Sequence, residues 1–72
     1  MTRRLKAFGT SCGEVVLTEH PTRPRYTVHV YRLERRPDGL TNQKLCAAFT
    51  TNTLSEAIHA YQHVVENLSN YL

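Results

Sequence analysis

The last 20 residues, Thr53 to Leu72, place apolar side chains at Leu54, Ala57, Ile58, Tyr61, Val64, Val65, Leu68 and Leu72. Steps of three and four put all eight on one side of an α-helix. Thr53 is suited to cap its start, and Glu56, three residues on, completes the pattern of a capping box. The spacing predicts one continuous helix over 53–72. A helix this one-sided needs a flat apolar surface to lie on, and the preceding residues have to supply it.

Those residues read as strands. Residues 14–18 (EVVLT) are short and β-branched, the composition of a strand paired with neighbours. Pro21 and Pro24 make His20–Pro24 a loop. The strongest strand signal is Arg25–Arg35. Alternation along it sends Tyr26, Val28 and Val30 to one face and Thr27, His29, Tyr31 and Leu33 to the other. Pro37-Asp38-Gly39 is turn chemistry, with proline presetting the first angle and glycine taking positive φ. The chain then returns over Lys44–Thr51, with Leu45, Ala47 and Phe49 on one face and Lys44, Cys46, Ala48 and Thr50 on the other. Residues 1–12 form either a first strand or an ordered arm, and Gly9 and Gly13 bracket a turn.

The predicted fold class is therefore α+β: a three- to four-stranded antiparallel sheet with one C-terminal amphipathic helix packed on one face. At 72 residues it is a single small domain, residues 1–72. The helix is expected to cover Val28, Val30, Leu45, Ala47 and Phe49. That leaves Thr27, His29, Tyr31, Leu33, Cys46 and Ala48 on an uncovered face, with Arg35 and Lys44 near its edges. A mixed patch of this kind marks an interface.

Charge is distributed unevenly. All nine Lys and Arg fall within residues 3–44 against four acids, whereas residues 45–72 hold two acids and no Lys or Arg. The basic residues form three groups: Arg3, Arg4 and Lys6; Arg23 and Arg25; and Arg32, Arg35, Arg36 and Lys44 around the turn. Seven of the nine are arginine, which favours forked contacts with phosphate or carboxylate. Arg3, Arg4, Arg23, Arg25, Arg32, Arg35, Arg36 and Lys44 are the candidate partner- or phosphate-binding residues. Thr27, His29, Tyr31 and Leu33 are the candidate sheet-face interface. Tyr26 and Tyr31 lie on opposite faces of their strand, so the two do not make a paired stacking platform.

Catalytic and metal signals are weak. His59 and His63 share a helix face, yet two imidazoles leave a metal shell incomplete even with Glu66 nearby. Cys12 and Cys46 are 34 positions apart. They read as free thiols of a reducing compartment, with a bridge between neighbouring strands as the alternative. No stretch has the length of a membrane span and the first residues do not resemble a signal peptide. The expected setting is cytoplasmic, with no catalytic residues, no metal and no cofactor.

Two family resemblances follow from these segments. FTTNTLSEAI, residues 49–58, resembles the strand-to-helix junction of HicB-type antitoxin domains through Thr53, Leu54, Glu56, Ala57 and Ile58; Tyr26-Thr27-Val28 resembles their opening strand. This implies a small sheet-and-helix domain that neutralises a protein partner. The family's Pro-rich, Gly-Cys segment is absent. The chain is also similar to the arm-binding N-terminal domains of phage integrases at Tyr26, Asp38, Gly39, Phe49, Thr51, Glu56 and Ala57, which implies DNA contact through the sheet.

The expected function is a small non-enzymatic binding protein. The first reading is an inhibitor or modulator of phage or mobile-element type, docking on an acidic protein or nucleoprotein partner. The alternative is a direct DNA- or RNA-binding module using the arginine-rich sheet and hairpin. Membrane partners are not expected, and a homodimer through the uncovered face is a further expectation.

Overall fold

The computed structural model describes residues 2–72. Four strands, β1 (Arg3–Gly9), β2 (Gly13–Glu19), β3 (Tyr26–Arg35) and β4 (Thr41–Thr51), precede helix α1 (Leu54–Glu66) and a single turn, α2 (Leu68–Tyr71). The strands pair antiparallel in chain order, so the sheet is a simple meander. The N-terminal segment is thus a strand. The fold is the α+β architecture that the alternation and the helical period predict.

The β3 alternation holds as read. Tyr26, Val28 and Val30 are buried beneath the helix and form one cluster with Val15 and Leu17 of β2 and Ala57, Val64 and Leu68 of the helices. Burying aliphatic side chains of this size contributes about 1.5–3 kcal/mol each. Phe49 and Tyr71 close one side of the cluster edge-to-face at 5.8 Å. β2 and β3 are central and buried, whereas β1 and β4 are edges. Each edge carries an irregularity in its pairing, at Leu5 on β1 and Cys46 on β4, and basic residues as well. Bulges and charges of this kind discourage unwanted edge-to-edge pairing.

The Cys46 bulge corrects the reading of β4. Ala47 lies opposite Val30, but Leu45 lies opposite Tyr31 and Lys44 opposite Arg32. An extra residue inverts the alternation on the turn side of it. Leu45 therefore belongs to the uncovered face rather than under the helix, and it is 52% exposed. Lys44 moves the opposite way. Cys46 occupies the bulge, its thiol donating to the Lys44 carbonyl at 3.7 Å. The strand also starts earlier than Lys44, at Thr41.

Two expectations about the helix are corrected too. It is interrupted at Asn67, whose N–H donates to the carbonyls of His63 and Val64 and whose side-chain Nδ2 donates to the His63 carbonyl at 2.9 Å. An asparagine side chain that satisfies a terminal carbonyl competes with helix continuation. Leu54, at the first position of the helix, is exposed rather than packed on the sheet. The Thr53 cap is present as read, its hydroxyl accepting from the Glu56 N–H at 3.3 Å.

The Cα trace measures 40 × 26 × 15 Å, a thickness that one sheet and one helix fill. The accessible surface is 5031 Å², against about 4,600 Å² for a chain of this mass. The excess fits a sheet with one face left open.

Candidate functional site

The open face is a grid built by the strand registers. In one row Leu45, Tyr31, Glu14 and Gly9 are neighbours; in the next, Ala48, His29, Val16 and Ala7; in the third, Thr50, Thr27, Thr18 and Arg4. Ala48 and Val16 flank His29 in its row, and Leu45 and Glu14 flank Tyr31 in the row beside it. The two rings stack, with centroids 5.8 Å apart and planes inclined by 25°.

Thr27, His29, Tyr31 and Leu33 share this face as expected, but they differ in access. Thr27 is buried. His20, arriving from the β2–β3 loop, lies over it, with Nε2 2.9 Å from the Thr27 hydroxyl. His29, Tyr31 and Leu33 are half-buried. At the far end, Gln43 on β4 donates from Nε2 to Glu14 Oε1 on β2 at 3.4 Å, spanning the intervening strand.

These residues line a shallow depression of about 420 Å³ whose floor is Val16 and whose rim carries Arg4, Thr18 and His20 at one end and Glu14 and Gln43 at the other. A second hollow of about 430 Å³ lies under the β2–β3 loop, lined by Thr22, Arg23 and Pro24 among others. Thr2 and His20 border both. The two hollows therefore adjoin at these residues, and together they make up the groove of the open face.

The basic residues do not gather into one patch. Arg3, Arg32 and Arg36 pair with Glu19, Glu34 and Asp38 at 3.1, 3.6 and 3.3 Å, exposed contacts worth under about 1 kcal/mol each. Among the described residues, Arg4, Lys6, Arg23, Arg25, Arg35 and Lys44 make no ion pair. Of these, Arg4 and Arg23 line the groove. Arg35, opposite Thr41, follows the phase of Leu33 onto the same face, while Arg32 and Lys44 share the other phase.

The remaining candidates are separate from the groove. Cys12 and Cys46 are both free and exposed. His59, His63 and Glu66 are exposed on α1, and no group of three or more metal-ligating side chains occurs among the described residues. No helix is long and apolar enough to cross a membrane. Tyr26, the other tyrosine of β3, is in the core. The stacked partner of Tyr31 is instead His29, two residues away on the same face. The i, i+2 spacing of the two rings is the sequence signal for this pair. The contributions of Glu14, Gln43 and His20 depend on strand register and loop placement.

Comparison with protein-family models, with curated proteins and with solved structures gives no match to this chain. The residues that carry the antitoxin and integrase resemblances have local structural roles: Thr53 caps α1, Asp38 Oδ1 accepts from the Leu40 N–H at 3.0 Å, and Gly39 holds φ of 88°.

Proposed function

We propose that the protein is a non-enzymatic module that binds single-stranded nucleic acid across the open sheet face. The observation that carries this reading is the stacked His29–Tyr31 pair beside a groove whose unpaired cations are Arg4 and Arg23. Aromatic faces on a sheet accept unstacked bases, and arginines along the same groove accept the backbone. A duplex offers no splayed base to such a platform. The groove is shallow and open, which suits a strand passing over it.

The test is fluorescence anisotropy with labelled single-stranded RNA and DNA and with a duplex control, between about 50 and 200 mM salt. Single strands are expected to bind better than duplex. Affinity should fall with salt by about 0.7 log units per log unit for each phosphate contacted. Arg4→Ala should lower that slope by about 0.7, and Tyr31→Ala should weaken binding at every salt concentration. No binding of any single strand at low salt overturns the reading.

A second reading, docking on an acidic protein or nucleoprotein partner as an inhibitor or modulator, is supported by a different observation. Leu45 is exposed beside Tyr31 on this face, and Leu40 is 60% exposed at the hairpin tip. Exposed large apolar side chains beside a tyrosine mark a surface suited to protein contact. Its test is recovery of a defined complex that Leu45→Asp abolishes while nucleic-acid binding persists. Self-association through the face would appear as a doubled mass in light scattering that Tyr31→Arg returns to the monomer value.

A further inference from the structure

Glu14 and Gln43 are unexplained by stacking or by phosphate contact. Their hydrogen bond at 3.4 Å joins β2 to β4 over the central strand and closes the end of the groove away from Arg4. It contributes little to the fold, since both side chains lie on the open face and their contact is exposed. A negative charge here also weakens phosphate binding, so a purely electrostatic groove would omit it. Glu14 is immediately beside Tyr31 in the sheet register. A base stacked against Tyr31 would bring its polar edge to Glu14 and Gln43.

We propose that this pair reads guanine in the bound strand, an inference that rests on the single-strand reading above. The carboxylate of Glu14 offers two acceptors side by side, and the amide of Gln43 offers a donor with one N–H left over after its bond to Glu14. Guanine presents the complement along its Watson–Crick edge: the O6 acceptor, then the N1–H and N2–H donors. The side-chain pair thus repeats the donor–acceptor–acceptor order with which cytosine meets guanine. Adenine places the N1 lone pair against the carboxylate, and uracil places carbonyl oxygens there, so each gains at most one hydrogen bond and incurs repulsion. The two bonds that guanine donates to a carboxylate are charge-assisted and geometrically paired, the strong form of such contacts. The acceptor charge of Glu14 carries the discrimination, and Gln43 holds it in place and meets O6.

The experiment compares short uridine-rich strands carrying one central guanosine, inosine, adenosine or uridine, made as RNA and as DNA, against the intact protein and Glu14→Gln. The wild type is expected to bind the guanosine strand about tenfold more tightly than the uridine strand, the discrimination of one paired base contact. Inosine, which lacks the N2 amino group, should fall between them. Glu14→Gln keeps size and removes the charge; it should erase the guanosine preference and leave the uridine strand bound at least as well as before. Circular dichroism verifies that the variant is folded, and Gln43→Ala, on an exposed edge strand, provides a second variant in which the preference should shrink. Equal affinity for all four strands overturns the guanine inference while single-strand binding stands. Loss of affinity by Glu14→Gln for every strand alike also overturns it. Absence of binding to any strand removes both.

Discussion

Leu45 stands opposite Tyr31 on the open face, although Ala47, two residues on, stands opposite Val30 in the core. The Cys46 bulge between them accommodates this change of phase. The consequence is measurable in stability. Leu45→Ala should cost under about 0.5 kcal/mol, as for an ordinary surface position. Leu17→Ala, which empties a site 1% exposed, should cost about 2–5 kcal/mol. Urea unfolding of the two variants checks the pair. A core-sized loss at Leu45 would mean that it faces the helix after all.

Gly13 has no room for a side chain. A Cβ there would approach the two Cδ atoms of Leu72 and the carbonyl oxygen of Tyr31 at 2.8 Å each. Leu72 can yield, but the β3 carbonyl is fixed by the sheet. Gly13→Ala should therefore cost about 1–3 kcal/mol. Gly9→Ala, at the other end of the same turn with nothing within 4 Å, should be close to neutral. Adding Leu72→Ala to Gly13→Ala should relieve the side-chain part of the clash only, giving a non-additive cycle.

Thr53 is extended, with φ of −122° and ψ of 148°, and its hydroxyl accepts from the Glu56 N–H. Thr53→Ala removes this partner and should cost about 1 kcal/mol. In a domain of this size, that lowers the midpoint of thermal unfolding by about 4–8 °C. Thr53→Asp should retain most of the stability, because the carboxylate also caps and opposes the positive end of the helix dipole. Equal losses in both variants would show that the hydroxyl bond is not the source.

Legibility in the sequence followed the reach of each physical signal. The β3 alternation and the turn residues Pro37, Asp38 and Gly39 act locally, and both placed their elements well. Gly39 takes its positive φ, 88°, because no Cβ opposes it. The bulge left no comparable mark. Thr41–Thr51 contains neither glycine nor proline, and an apolar Leu45 reads naturally as an inward residue. Asn67 did carry a signal, since asparagine favours helix ends, but Leu68 and Leu72 continued the helical period across it. At the groove, His29 and Tyr31 were readable as an i, i+2 pair on one face. Glu14, Gln43 and His20 come together only through pairing across β2–β4 and the packing of a proline-containing loop.

His20 and Thr27 are joined side chain to side chain on the open face, and a double-mutant cycle measures what that contact contributes. Thr27 is 7% exposed, and His20 Nε2 lies 2.9 Å from its hydroxyl. His20→Ala removes the hydroxyl's partner, a loss of about 1–3 kcal/mol when the group stays buried. Thr27→Val replaces the hydroxyl with a methyl that suits a strand and leaves the His20 ring free to turn to water. The double variant should be more stable than the sum of the two single changes predicts, because the orphaned hydroxyl is gone. Additive losses would place the contribution of His20 elsewhere than in this hydrogen bond.

Burial alone pushes the Tyr61 phenol above its usual value of 10.0. The residue is half-buried on α1 and packs against the core between sheet and helix. Because the folded state holds this proton more tightly than the unfolded chain, stability owed to the neutral phenol is complete below about pH 10. It is lost as pH rises from there through the raised value of the folded protein. Tyr61→Phe keeps the ring and removes the titrating group, so its unfolding midpoint should fall less than the wild type's between about pH 8 and pH 11. Chemical denaturation at those two pH values measures the difference. The same alkaline loss in both proteins would assign it to other groups and leave Tyr61 ionising as freely in the fold as in the unfolded chain.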